Sequence, residues 1–250
     1  RPVHKLKSIC CREDTTGHIC LNRPDRLNAF SGELVDALSA AIAEAATQET
    51  RLLVFTGAGK GFSGGFDLSD LDTMTDGDLL LRFVRAEQLL QQVYHAPFAT
   101  LALVHGACYG AAADLVAACQ WRVAAPGARF RMPGLRFGIT LGTARLARLA
   151  GADAARSLLL RDAPFDTEEA LQTGFISAVA AQEDWTDTIE QCHRDASALT
   201  ANTYAAMLDR TRIDTREADM AALVQSVAVG SIKERVQAYL ASVKAAKAAR

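Results

Sequence analysis

Residues 51–67, RLLVFTGAGKGFSGGFD, constrain the fold of this chain more than any other stretch. The apolar run at 52–55 is bounded by polar and glycine residues, which is typical of a short buried strand. Five glycines follow, at positions 57, 59, 61, 64 and 65. Glycine lets the backbone adopt positive φ and approach a bound group closely, so such a loop can turn its N–H groups towards an anion or a polarised carbonyl. The stretch therefore predicts a buried strand that leads into a ligand-facing loop.

Three interpretations of this loop compete. The glycines at 59, 61 and 64 match the dinucleotide fingerprint G-x-G-x-x-G, but that motif opens a helix directly and needs an acidic residue about twenty positions later. Ser63 stands in a G-x-S-x-G pattern, but a nucleophile elbow places its serine at the sharp turn that ends the strand. The third interpretation is a loop that presents backbone donors near Gly65 and Phe66. We favour the third, because a plain surface turn needs only one or two glycines.

A second unusual stretch runs from Gly106 to Cys119. Gly110 is followed by three alanines, so backbone is exposed at the start of a predicted helix, where N–H groups are unpaired and the dipole is positive. Asp114 lies about one turn inside this otherwise apolar helix. It is either a carboxylate favoured in a first helical turn, or a buried carboxyl with a raised pKa that suits proton transfer. The segment alone leaves both possibilities open.

Charge and composition narrow the function classes. The formal net charge of the 250 residues is −2, so no strong field favours nucleic acid or a membrane surface. We find no apolar run of about 20 residues, the length that spans a bilayer, and no apolar signal-peptide core at the start. None of the six cysteines forms C-x-x-C, which argues against a zinc site. We expect a reduced cytoplasmic protein with no bound metal.

Alternating strand and helix patterns predict an α/β core over residues 1–193, followed by a helical region over 194–250. The first two strands are predicted at 7–11 and 18–21, with a hairpin turn at 15–17. A helix is predicted from about Asp78 to Tyr94, another is capped by Thr167, and a last strand covers 175–179.

Four segments together resemble the crotonase family, that is, the enoyl-CoA hydratase/isomerase family. They are LNRPDRLNAF, FTGAGKGFSGGFDLSDL, VHGACYGAAADLVAACQWRVAA and FDTEEALQTGFISAV. The resemblance covers nearly the whole chain. It implies an α/β spiral of ββα units, a C-terminal helical region that builds a homotrimer or a dimer of trimers, and binding of an acyl-CoA thioester. Coenzyme A would enter as part of the substrate, without a separate cofactor.

The resemblance also implies roles for individual residues. The backbone N–H groups of Phe66 and Ala111 match the two donors that polarise the thioester carbonyl, and Asp114 matches an acid/base. Four further residues match positions that line the CoA portion: Arg26, Ala29, Gly64 and Leu68.

This chain departs from the family pattern at several positions, and these departures decide which reactions we expect. Family hydratases use two glutamates, and Gly134 stands at the second position with no acid to offer. An aspartate at the first position resembles the dienoyl-CoA isomerase branch, whose further acids are replaced here by Gly134 and roughly Thr140. In addition, His105 replaces the usual Asn and Gln120 the usual Asp. The leading hypothesis is therefore proton transfer through an enolate with Asp114 as acid/base, with hydration weak.

Two alternatives remain. In the first alternative, the chain binds acyl-CoA without appreciable turnover, as the missing second acid suggests. Otherwise it is a thioester hydrolase that uses Ser63, with His193 as the only histidine that follows both Ser63 and Asp114.

Overall fold

A computed structural model describes residues 10–13, 15–161 and 163–248. Strands and helices alternate through the first two thirds of the chain, and four helices end it. The strands are β1 Cys10–Glu13, β2 Thr16–Leu21, β3 Leu52–Gly57, β4 Ala99–Val104, β5 Ala107–Tyr109, β6 Trp121–Ala124, β7 Arg129–Arg131, β8 Phe165–Asp166 and β9 Ala178–Val179. The helices are α1 Gly32–Ala46, α2 Asp76–Tyr94, α3 Ala111–Ala118, α4 Thr143–Ala150, α5 Ala152–Leu160, α6 Thr167–Gln172, α7 Trp185–Ser197, α8 Ala201–Thr211, α9 Arg216–Val227 and α10 Ile232–Ala248.

Two sheets share the strands. The larger has the order β1-β2-β3-β4-β6-β9, in which only the β1–β2 pair is antiparallel. The smaller has the order β5-β7-β8. Strands β4 and β5 follow each other along the chain but enter different sheets, and so do β6 and β7. This arrangement confirms the predicted α/β spiral of ββα units.

The start of α2 lies two residues before the predicted position. We predicted that α2 begins near Asp78, but it begins at Asp76 behind the N-cap Thr75. The Thr75 side chain accepts a hydrogen bond from the Asp78 N–H, and the Asp78 carboxylate accepts one from the Thr75 N–H. Asp78 is therefore the third residue of a capping box, which stabilises the first turn of α2.

Three strand boundaries also differ from the predictions. Part of the first predicted strand, 7–9, lies outside the described residues, and the described strand continues to Glu13. Gly17 lies in β2 rather than in the hairpin turn, and it pairs with Leu53 on β3. The strand predicted at 175–179 is reduced to Ala178–Val179, and the Phe175 ring packs against the rings of Phe130 and Phe165.

The N-cap of α6 also differs from the prediction. The cap is Asp166 rather than Thr167, and the Asp166 carboxylate accepts a hydrogen bond of 3.0 Å from the Glu169 N–H. The buried hydroxyl of Thr167 donates instead to the carbonyl of Ala128. Thr167 is thus the first residue of α6, where it ties the helix to the core instead of capping it.

The C-terminal helices pack onto the core of their own chain. A buried apolar cluster joins α2 to α9 and α10; it comprises Leu71, Leu79, Phe83, Ile139, Leu223, Val227, Ile232 and Val236. Helix α7 spans Trp185–Ser197 and so continues across the predicted domain boundary at 193/194. The division into two domains stays a prediction. None of the helices in the described part of the chain is both long and apolar enough to cross a membrane.

Candidate active site

The glycine loop after β3 lies against the segment that joins β4 to α3. The N–H of Ser63 donates to the carbonyl of Ala107 at 3.0 Å, and the N–H of Tyr109 donates to the carbonyl of Ser63 at 3.0 Å. Gly65 has φ +89°, and a Cβ there would overlap the carbonyl oxygen of Tyr109. This position therefore needs glycine, both for its φ and for the close approach of two backbones. The contact brings residues 65–66 next to residues 109–111.

Asn28 holds the glycine loop in place, a role that the sequence analysis missed. Its fully buried side-chain amide donates to the carbonyls of Ala58, Gly61 and Phe62 at 2.8, 3.1 and 3.0 Å. Its Oδ1 accepts a hydrogen bond from the Arg23 N–H at 2.8 Å. Asn28 itself has φ +52°, which asparagine tolerates better than most residues. The available signal was the family segment LNRPDRLNAF, which contains Asn28, but there we assigned roles only to Arg26 and Ala29.

The two predicted backbone donors face one cavity. Phe66 and Ala111 both line it, and among the described residues neither of their N–H groups donates a backbone–backbone hydrogen bond. Ala111 is the first residue of α3, so its N–H has no partner within the helix. The Phe66 ring stacks on Phe83 with 4.4 Å between centroids, and the Arg82 guanidinium lies 4.4 Å from the Phe66 centroid. These contacts fix residue 66 at the wall of the cavity.

The cavity has a volume of about 350 Å³ and is mostly apolar. Aromatic and aliphatic side chains from five parts of the chain supply its walls. They include Phe66, Leu68, Phe83, Met132, Leu135, Phe137, Ile139, Leu141, Leu159, Tyr239, Leu240 and Val243. Such a pocket fits an apolar ligand whose few polar atoms meet fixed polar groups.

Asp114 is the one carboxylate among the described residues that line this cavity. It is 5% exposed, and its Oδ1 has no hydrogen-bond partner within the described structure. Burial raises the pKa of this carboxyl well above its usual range; Arg145 opposes the shift and Glu87 adds to it. Gly142 packs against the carboxyl so closely that a Cβ there would overlap Oδ1. The group is therefore a buried acid, not a capping carboxylate, since no N–H of the described residues donates a hydrogen bond to it.

A buried ion pair lies behind Asp114. Arg145 on α4 and Glu87 on α2 are 3% and 1% exposed, and the Arg145 Nη2 contacts the Glu87 Oε1. Gln91 donates to the same Glu87 oxygen at 2.9 Å, and Asp219 on α9 lies 3.7 Å from the Arg145 Nη2. These charges set the electrostatic environment of the helix that carries Asp114.

The structure brings together only some of the residues predicted to bind the CoA portion. Gly64 and Leu68 line the cavity with Phe66, Ala111 and Asp114. Arg26 is exposed and Ala29 half-buried, and neither lines it. Their segment is connected to the site by a 2.7 Å hydrogen bond from the Gly64 N–H to the Leu27 carbonyl.

Gly134 and Thr140 stand where the family carries further acids, and neither offers a carboxyl to the cavity. Gly134 lines the cavity and offers no side chain. Thr140 does not line it, because its hydroxyl donates to the carbonyl of Ala222 on α9 at 3.1 Å. Within the described residues no group of three or more His, Cys, Asp or Glu side chains could hold a metal ion.

Two of the alternative interpretations of the glycine loop fail on geometry. The Ser63 hydroxyl is fully buried and donates to the carbonyl of Asn28 at 2.8 Å, and Ser63 does not line the cavity. His193 contacts Thr15 at 2.7 Å instead. No helix opens on the loop, since α2 begins only at Asp76, so the dinucleotide interpretation is wrong.

Helix α10 supplies part of the cavity wall, which the sequence analysis did not predict. Tyr239, Leu240 and Val243 line the cavity, and the Tyr239 ring lies 5.3 Å from that of Phe137. The Arg235 guanidinium anchors the helix by donating to four backbone carbonyls of residues 137, 138, 226 and 227. The apolar spacing of α10 was visible in the sequence, but it does not show which surface the helix covers.

The fold is that of the crotonase class. The enoyl-CoA hydratase/isomerase family model matches residues 12–246, so the chain belongs to the enoyl-CoA hydratase/isomerase family.

Individual relatives agree with this assignment. A crystal structure of an enoyl-CoA hydratase/isomerase-type protein from Bordetella parapertussis is 46% identical, with a TM-score of 0.90 over 92% of this chain and 96% of that chain. The zebrafish enoyl-CoA hydratase domain-containing protein 3 is 27% identical over 233 residues, 89% of this chain and 81% of the relative. Human ethylmalonyl-CoA decarboxylase is 31% identical over 182 residues, which are 70% of this chain and 59% of the decarboxylase.

Proposed function

We propose that this protein moves a proton to or from the α-carbon of an acyl-CoA thioester, with Asp114 as the acid/base. The observation that carries the proposal is one buried carboxyl facing a cavity beside two N–H groups that make no backbone hydrogen bond. The N–H groups of Phe66 and Ala111 would bind the thioester oxygen. Donors of this kind are each worth about 10²–10³ in rate when charge develops on the oxygen.

The reaction needs one mobile proton. When Asp114 is ionised it would remove an α-proton, and the electron pair of the C–H bond would move into the enolate held by the two donors. When Asp114 is protonated it would return the proton to the α-carbon or to a vinylogous carbon. The raised pKa of Asp114 favours the protonated form, which a positioned acid needs.

Hydration needs more catalytic groups than proton transfer does. It needs a base that activates water on the β-carbon and a proton for the α-carbon, whereas Gly134 offers no second carboxyl. We therefore propose that hydration of a simple enoyl-CoA is slow beside proton exchange or double-bond migration.

Wild-type protein tests this directly. Butyryl-CoA in deuterated water should gain deuterium at its α-carbon, while crotonyl-CoA should be hydrated far more slowly. Efficient hydration would mean that another group replaces the absent acid. Tight acyl-CoA binding with neither reaction would instead support the binder without turnover.

A second candidate reaction uses the same enolate. In a 2-carboxyacyl-CoA, breaking the bond between the α-carbon and the carboxylate releases CO₂ and leaves its electron pair in the thioester enolate. Protonated Asp114 would then protonate the α-carbon, so one acid is sufficient. Two observations favour this candidate: Arg131 lines the cavity and could face a substrate carboxylate, and one relative is named ethylmalonyl-CoA decarboxylase.

Release of CO₂ from ethylmalonyl-CoA or methylmalonyl-CoA separates this candidate from the first. Replacement of Arg131 by Met should reduce CO₂ release more than α-proton exchange of butyryl-CoA, which carries no carboxylate. Exchange without any CO₂ release would leave the first proposal alone.

Further expectations rest on the family. We propose a cytoplasmic homotrimer or dimer of trimers, with the CoA portion running past Arg26, Ala29, Gly64 and Leu68. The carbonyl of Leu27, which accepts from the Gly64 N–H, connects these two segments and supports a shared surface.

A further inference from the structure

A second cavity, of about 300 Å³, lies at the C-terminal end of α3. The N-terminal end of that helix, with Ala111 and Asp114, faces the apolar cavity described above, so the two cavities meet opposite ends of one helix. Met207 and Thr211, both exposed, line the second cavity, which therefore opens to solvent. We call it the arginine cavity, after Arg122, Arg145, Arg148 and Arg212, which line it.

The charges around the arginine cavity do not balance. No Asp or Glu of the described residues lines it. Glu87 and Asp219 pair with Arg145 and Arg148 from outside the lining, and they can neutralise two of the four guanidinium groups. The C-terminus of α3 adds about half a negative charge at most. Asp209 also attracts the Arg212 charge, but the two form no salt bridge within the described residues, so the lining keeps an excess of positive charge.

The remaining two arginines donate their hydrogen bonds to neutral backbone carbonyls. Arg122 donates to the carbonyls of Phe175, Cys119 and Gln120, and Arg212 donates to the carbonyl of Ala96. Burial lowers the pKa of both guanidinium groups, which shows the cost of their desolvation. Backbone carbonyls orient these side chains without neutralising them, so their positions are fixed before any anion arrives.

Two buried donors at the arginine cavity also lack a partner. The Nη1 of Arg145, a residue that is 3% exposed, and the Nε of Arg148 make no hydrogen bond within the described part of the chain. Buried polar atoms are nearly always hydrogen-bonded, so such donors indicate a bound ion or water. Guanidinium groups match phosphate oxygens well in geometry and charge.

We propose that the arginine cavity binds a small phosphate-bearing anion, separately from acyl-CoA. The phosphate would meet the guanidinium groups, and the apolar side chains of Leu149, Met207 and Leu208 would contact the organic part of the ligand. Neither the family assignment nor the proposed proton transfer includes this site.

Gln120 offers a sharp test because it lines the arginine cavity and its Oε1 accepts a 2.7 Å hydrogen bond from the Tyr204 hydroxyl. Gln120→Glu keeps that bond and the shape of the side chain while it adds a negative charge. Met207→Glu adds the charge at the mouth instead, where the side chain is 37% exposed. Gln182→Glu, at an exposed position outside the cavity, is the matched control.

Inorganic phosphate is the probe, compared with chloride at equal ionic strength and with saturating CoA present to occupy the acyl-CoA site. Phosphate should bind wild type and Gln182→Glu in calorimetry and raise their unfolding temperatures. Both charge variants in the cavity should bind phosphate at least about tenfold more weakly. Without phosphate, Gln120→Glu should be more stable than wild type, because it supplies the absent negative charge.

Three results would overturn the proposal. The first is an effect of phosphate no larger than that of chloride. The second is phosphate binding that survives unchanged in both cavity variants. The third is that the cavity variants dissociate an oligomer that phosphate does not affect, which would show that an acidic side chain of another copy fills the cavity.

Discussion

At the scale of single residues, the site depends on three positions: Gly65, Gly134 and Asp114. Gly65 lacks a Cβ, which lets two backbones approach and brings Phe66 beside Ala111. Gly134 lacks the carboxyl that hydration would use. Within the described part of the chain, the buried Asp114 lacks a hydrogen-bond partner at Oδ1, so its proton is available to a ligand in the cavity. The sequence predicted the importance of Asp114 but left its burial open, because only packing by other elements decides it.

Ala111 allows the removal of one proposed donor with little damage. Proline is tolerated at the first position of a helix, where the missing N–H has no helical partner. Ala111→Pro should therefore keep α3 and reduce α-proton exchange by about 10²–10³-fold. Ala111→Ser, which keeps the N–H, is the matched control and should have a small effect. Exchange at the wild-type rate in folded Ala111→Pro would contradict the role of this N–H.

The raised pKa of Asp114 makes stability depend on pH. Between the unfolded pKa, about 3.9, and the higher folded pKa, the folded state holds a proton that the unfolded state has lost. Wild type should therefore lose stability as pH rises through this window. Asp114→Asn should not, so its advantage in unfolding temperature should grow with pH and then level off. An advantage that does not change from pH 4 to pH 9 would show that Asp114 titrates normally.

At the scale of elements, helices from distant parts of the chain converge on α3. Helix α4 presents Arg145, α2 presents Glu87 and α10 closes the apolar cavity with Leu240 and Val243. Spacing along the sequence predicted most of these helices. It could not predict the contacts between them, because an apolar face or a lone charge does not specify its partner.

Arg145→Met should destabilise the fold by about 3–5 kcal/mol, because it leaves Glu87 charged and buried. The double variant Glu87→Met/Arg145→Met should recover much of this loss, since both charges leave together. Arg156→Met breaks an exposed pair with Asp153 and should cost less than about 1 kcal/mol. Urea unfolding of the three variants measures these differences, and equal losses for Arg145→Met and Arg156→Met would contradict the account.

Helix α10 should influence which acyl group is accepted. Val243→Trp narrows the apolar cavity and should raise KM for long acyl chains at least about tenfold while leaving acetyl-CoA or butyryl-CoA little changed. Lys244→Trp, exposed on the same helix and outside the cavity lining, is the control. KM measured over a series of chain lengths tests this. A uniform change at every chain length would mean that α10 does not contact the acyl group.

At the scale of the whole molecule, the α/β spiral was predictable because its signals are local. Glycine loops follow buried strands, and four family segments occur in order along nearly the whole chain. Strands β5 and β8 were not predicted, because strands of three and two residues carry little pattern of their own. Likewise, only the folded chain shows that its C-terminal helices pack on the core and wall the cavity. The homotrimer stays a prediction.

The central claim is that Asp114 moves the proton. The measurement is deuterium incorporation at the α-carbon of a bound acyl-CoA, in wild type, in Asp114→Asn and in Asp187→Asn. Asp187 is the matched control, since it also lies in the first turn of a helix but is exposed. Asp114→Asn should bind acyl-CoA nearly as wild type does and exchange about 10²–10⁴-fold more slowly, while Asp187→Asn should be unchanged. Exchange at the wild-type rate in Asp114→Asn would contradict the account.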